Sequence, residues 1–132
     1  MRQEILDYIN GLGLGSSFTT TNDLPYDASG NPLYLQNVRK IYVDNEQVTT
    51  EPLVTALDGP VIDNEVTSVS IYFSADAKQL PANYNTLVAD LKKAKNITTI
   101  SGIHRREMDV TTEYQGDLIV NALEIRFNKV IT

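Results

Sequence analysis

The chain has 132 residues, no cysteine or tryptophan, one histidine and a formal net charge of −6. That length fits a single domain, residues 1–132, able to bury one core without disulfides or metal, and a hydrophobic content of 42% argues for a folded globule. Missing cysteines exclude thiol catalysis, zinc knuckles and iron–sulfur ligation, the acidic balance disfavours a broad nucleic-acid surface, and no run approaches the ~18 apolar residues of a membrane span.

The opening Met1-Arg2-Gln3-Glu4 lacks the uninterrupted apolar stretch of a signal peptide, which together with the absent cysteines favours a cytosolic origin. Arg2 to Leu12 reads as a short amphipathic helix, with Ile5, Leu6, Ile9 and Leu12 on one stripe, stopped by Gly13 and Gly15. Ser16 to Asn22 reads as a Thr-rich strand containing Phe18, and Asp23 to Pro32 as a loop dense in turn formers. Leu33 to Leu35 and Val38 to Asp44 read as short strands. Thr49 to Asn64 reads as a long acidic connection punctuated by Pro and Gly, without obvious structure, which makes it either a functional loop or regular structure that its pattern does not reveal.

Val66 to Phe73 is a strand by its alternation, with Val69, Ile71 and Phe73 inward. A second helix opens at Pro81 and runs to about Lys95, with Tyr84, Leu87, Val88 and Leu91 as its apolar stripe and lysines at its C-terminus. The chain then ends in a long hairpin. Met108, Val110 and Tyr114 alternate with Glu107, Asp109, Thr111 and Glu113; beyond Gln115-Gly116-Asp117, Ile119, Leu123, Ile125 and Phe127 form the matching apolar set. The two sets share a face only if Met108 pairs with Ile125 and Val110 with Leu123, which leaves a four-residue loop from Gln115 to Leu118. The predicted class is α+β: a mixed or antiparallel sheet with a long C-terminal hairpin and two α-helices packed on one face.

Reactive side chains are few. His104 stands beside Arg105 and Arg106 with no carboxylate in sequence to orient it, so a surface or interface role is the better reading. Gly11, Gly13 and Gly15 follow a helix where a phosphate-cradling loop would follow a strand. Asp27-Ala28-Ser29-Gly30-Asn31 lacks the spacing and terminal Glu of a calcium loop. Asn96-Ile97-Thr98 matches a glycosylation triplet without secretory context. No catalytic residue, metal ligand or cofactor is predicted, and the chain reads as a building block rather than an enzyme. Most of the seven tyrosines are expected at the core edge with one wet end, a minority serving contacts between subunits.

Charge is segregated along the chain. Asp44, Glu46, Glu51, Asp58, Asp63 and Glu65 form an acidic block with no base inside it, and Lys92, Lys93, Lys95, Arg105 and Arg106 form a basic block with no acid. Solvated faces of opposite sign explain this, as does a head-to-tail contact between identical subunits, which closes into a ring when the rotation permits. On the second reading the candidate interface residues are Asp44, Glu46, Glu51, Asp58, Lys92, Lys93, Arg105 and Arg106, and charge reversal at Arg105 and Arg106 is expected to weaken assembly more than folding.

The segment Ile71-Tyr72-Phe73-Ser74-Ala75-Asp76-Ala77-Lys78-Gln79-Leu80-Pro81-Ala82-Asn83-Tyr84 resembles the strand-to-helix passage of tail terminator (tail completion) proteins of tailed bacteriophages. Asp109-Val110-Thr111-Thr112-Glu113-Tyr114-Gln115-Gly116-Asp117, followed by Leu123-Glu124-Ile125-Arg126-Phe127, resembles their terminal hairpin. The resemblance implies a virion structural protein, made in the host cytoplasm and housed in the tail or neck. It implies a homo-oligomer, a hexameric ring, that caps the head-proximal end of the tail tube and joins it to neck and connector proteins. DNA would pass through the lumen without specific binding, which a net-negative subunit suits. The acidic connection from Thr49 to Asn64 departs from that plan. The alternatives are another neck component, such as a head-completion or stopper protein, and a monomeric small-ligand or regulatory domain.

Overall fold

The computed structural model of the chain describes residues 1–54 and 62–131. Its framework is a six-stranded mixed sheet, built from β1 (Thr19–Thr20), β2 (Lys40–Val43), β3 (Gln47–Val54), β4 (Ile62–Asp76), β5 (Ile103–Gln115) and β6 (Leu118–Ile131). Helix α1 (Arg2–Asn10) and helix α3 (Tyr84–Lys92) lie on one face, as expected, and a one-turn helix α2 (Leu33–Gln36) is added on the other. Strand order is β1-β2-β4-β6-β5, with β3 pairing the first half of the β4 edge that β2 occupies further on. All pairs are antiparallel except β1 with β2. Among the described residues, no helix is long and apolar enough to cross a membrane.

The centre is β4 against β6, paired from Asp63↔Ile131 to Asp76↔Leu118. Alternation sends Val69, Ile71, Phe73, Leu123, Ile125 and Phe127 to one face, each at most 1% exposed. There they meet Ile5, Leu6 and Ile9 of α1, Leu87 and Leu91 of α3, and Ile41 and Val43 of β2. Each such side chain contributes about 1.5–3 kcal/mol when fully buried, so this one layer dominates the stability. The Tyr8 hydroxyl donates to the Asp90 carbonyl at 2.7 Å and ties α1 to α3.

The hairpin has the predicted register: Met108 pairs with Ile125 and Val110 with Leu123. Its turn is tighter than the four-residue loop, because pairing continues to Gln115↔Leu118 and leaves only Gly116-Asp117 between the strands. Gly116 takes φ 60° at the first central position, the backbone a two-residue turn needs to match strand twist. Burial on the two strands differs. β6 is sandwiched, whereas β5 is an edge strand whose far end outruns the helices, leaving Val110 40% and Tyr114 72% exposed.

Several boundaries move. The first helix ends at Asn10, with one further turn closed by the Leu12 amide on the Ile9 carbonyl before Gly13 and Gly15 turn the chain at φ 66°. The Ser16–Asn22 strand shrinks to Thr19–Thr20, all that finds a partner on β2. Leu33 to Leu35 is helical, since Pro32 starts a turn that Asn37 closes on the Leu33 carbonyl at 2.9 Å. Val38 stays outside β2 because Arg39 sits at φ 69°, donating its amide to the Ser74 carbonyl. Pro81 precedes the second helix, which begins at Tyr84 and tightens into a 3₁₀ turn at Lys93–Asn96.

The largest correction is the acidic connection. Thr49 to Asn64 contains most of β3 and the start of β4, paired through Thr49↔Val66, Glu51↔Asn64 and Pro52↔Asp63. The remainder of that connection, 55–61, lies outside the described residues. Pro52 is tolerated because β3 is an edge strand.

Candidate functional site

The face of the sheet turned away from α1 and α3 carries the even residues of β4 and β6 and the odd residues of β5. Over β2 and the end of β4 it is covered by the 25–37 segment. Tyr34 stacks on Tyr72 with centroids 5.0 Å apart, and Tyr26 meets both rings edge-on at 5.9 and 6.1 Å. Beneath them Tyr42 is fully buried, its hydroxyl accepting from Asn37 Nδ2 at 2.9 Å. The Pro-rich loop is stiffened by Asp27, whose carboxylate accepts from the Ser29 and Asn31 amides at 2.9 and 2.8 Å. The Asn31 amide bond, with those of Ser29 and Gly30, holds the Asp27 carboxyl below its ordinary range. This is turn chemistry, and it places Tyr26.

Next to the stacked rings is a cleft of about 200 Å³. Tyr34 and Tyr72 form one bank, Val120 and Ala122 the floor, and Thr111, Glu113 and Gln115 of β5 the other bank. Glu113 is its only charged lining residue and makes no ion pair among the described residues. Further along the same face, Arg126 is gripped by three carboxylates: Asp109 at 2.6 Å, Glu124 at 2.7 Å and Glu107 at 3.2 Å. The hydrogen bond from Arg126 holds the Asp109 carboxyl below the usual range, and the acids push the guanidinium upward. Glu107 also accepts from Arg105 at 2.6 Å.

On the helix side, a cavity of about 550 Å³ separates α1 from the 93–99 segment, lined by Glu4, Asp7, Tyr8, Lys93, Asn96, Ile97, Thr98 and Thr99. It brings Glu4 and Asp7 together with Lys93.

The candidate interface residues are dispersed. Asp44 is half-buried and accepts from the Asn45 amide, and Glu46 pairs with the terminal ammonium of Met1 at 3.0 Å. Glu51 stands exposed on β3, and Asp58 lies outside the described residues. Lys92 is exposed in the last turn of α3 without an ion pair among the described residues, while Lys93 reaches Asp90 at 3.8 Å. Arg105 is exposed. Arg106 turns inward, donating to the carbonyls of Lys95 (2.8 Å), Ile97 (2.6 Å) and Ile100 (3.3 Å), with its guanidinium over the Phe127 ring. It closes the C-terminal end of the α3 segment, where carbonyls lack helical partners. Reversing both arginines together would therefore perturb folding as well as any assembly, and Arg105 alone is the clean probe.

His104 bulges from β5, its Nε2 3.2 Å from Asn64 Oδ1, and Asn64 donates on to Asn128 at 3.0 Å. Among the described residues this amide network offers the ring no carboxylate or hydroxyl partner. The tyrosine-lined cleft escaped sequence reading; its one available signal was the spacing of Tyr26, Tyr34 and Tyr72 around a proline-rich loop. No protein-family model matches the chain, and comparison with curated proteins finds no match.

Proposed function

We propose that the protein is a virion structural protein of the tail terminator type. In this reading it assembles into a ring, hexameric as in the family it resembles, that caps the head-proximal end of a phage tail tube and joins it to the neck. It works by shape and self-association, and DNA passes its lumen without specific binding. The supporting observation is that the two family-like segments are hydrogen-bonded neighbours. Ile71 to Asp76 pair with Leu118 to Leu123, so the strand-to-helix passage and the terminal hairpin form one rigid unit. The net charge of −6 is compatible with a channel that DNA slides through.

The test is the mass of the purified protein alone and mixed with tail tubes, with electron microscopy of the tube ends. A ring that seats on one end of the tube supports the reading. A monomer that leaves tubes unchanged overturns it. The α1 cavity favours a second reading, because about 550 Å³ falls in the range of small-ligand pockets. A monomer whose melting temperature rises with a small molecule, and falls back on Tyr8→Trp, would support that reading instead.

A further inference from the structure

We propose that the tyrosine-lined cleft on the outer sheet face is the socket for a lysine of a second copy of this chain, and that Lys92 is the lysine it takes. The inference rests on the ring reading above and names the contact that would hold the ring.

The cleft's chemistry selects the class of occupant. Val120 and Ala122 give an apolar floor, Tyr34 and Tyr72 an aromatic bank, and Glu113 one unpaired carboxylate at the rim, with no cation in the lining. An aliphatic stem ending in an ammonium matches each feature: methylenes on the floor, charge against the ring system and the carboxylate. A volume of about 200 Å³ admits one such side chain and little more. Anions are refused by Glu113, and a flat apolar ligand would bury that carboxylate without a partner.

The chain's other cations narrow the choice. Lys78 pairs with Asp117, Lys93 with Asp90, Arg105 with Glu107 and Arg126 with three acids. Arg2, Arg39 and Arg106 donate to carbonyls, and Lys40 lies over Tyr42. Lys92 is exposed, unpaired among the described residues, and held on the rigid last turn of α3 by the buried Leu91 beside it. Lys95 is half-buried; Lys129 is exposed and also without an ion pair among the described residues, but it sits on β6 with its stem along Gly102 rather than on a projecting helix turn.

Placement then dictates symmetry. α3 packs on the Ile71 face of the sheet, and the cleft opens on the Tyr72 face. Socket and plug thus belong to elements on opposite sides of the sheet in one copy, an arrangement that a head-to-tail repeat satisfies at every contact. Repetition is head-to-tail, the geometry that closes into rings.

The experiment is a charge swap read by sedimentation velocity on the full chain at low salt. Glu113→Lys and Lys92→Glu should each weaken self-association about tenfold or more, since each sets like charges against one another. The two changes in one chain should restore it to within about threefold of wild type, and association of the wild type should fall as salt rises. Both side chains are exposed, so circular dichroism melts should match wild type and exclude misfolding. Single variants that assemble normally, or a double variant that stays weak, overturn this contact and leave the ring reading standing. A wild type that is monomeric at every concentration overturns both.

Discussion

Arg106 gives the sharpest test of how this fold is held. Its guanidinium satisfies three carbonyls at the end of the α3 segment and covers Phe127. A hydrogen bond with a charged partner contributes about 1.5–3 kcal/mol. Only the bonds to Lys95 and Ile97 are short, the site is half-buried, and water can reach part of it after truncation. Arg106→Ala should therefore cost roughly 2–4 kcal/mol in total. For a chain of this size each kcal/mol lowers the melting temperature by roughly 3 °C, so a drop of roughly 6–12 °C is expected. Arg105→Ala removes an exposed pair and should cost no more than ~0.5 kcal/mol. Urea unfolding followed by circular dichroism measures both, and hydrogen exchange should show faster opening at 97–103 in the Arg106 variant alone. Equal costs at the two arginines would refute the assignment of Arg106 as the closing group.

Ile125→Ala, at a fully buried position between Val69 and Met108, should cost about 2–5 kcal/mol in denaturant unfolding. Val110→Ala, one face-step along β5 but 40% exposed, should cost under about 1 kcal/mol, and similar losses would mean the hairpin end is covered. Gly116→Ala should cost about 1–2 kcal/mol because φ 60° is strained for alanine, with Gly116→Asn milder; no change in melting temperature would argue for a different turn. Asp109 titrates below its ordinary range when folded, so its stabilisation is present above the usual carboxylate pKa and lost as pH falls through the folded value. Melts between about pH 6 and 2 should show wild type losing more stability than Asp109→Asn across that acid window, and parallel curves would deny the Arg126 pairing an energetic role.

The hairpin was legible in the amino-acid order down to the pairing of Met108 with Ile125, because the odd residues of β6 from Ile119 to Phe127 are buried and burial imposes period 2. The inward set Val69, Ile71 and Phe73 was legible for the same reason, and Leu87 and Leu91 of α3 through the 3.6-residue period of a helix with one buried face. β3 was not: Gln47 to Pro52 are exposed on both faces, so no selection for alternation marks them, and only the pairing edge of β4 makes them a strand. Likewise Arg105 and Arg106 are equivalent as letters. Tertiary packing of α3 places carbonyls over one of them, and the sheet's alternation leaves the other in water. The cleft needed Tyr34 and Tyr72, far apart in sequence, to stack beside β5, a meeting that only the folded chain arranges because long-range contacts carry no local signature.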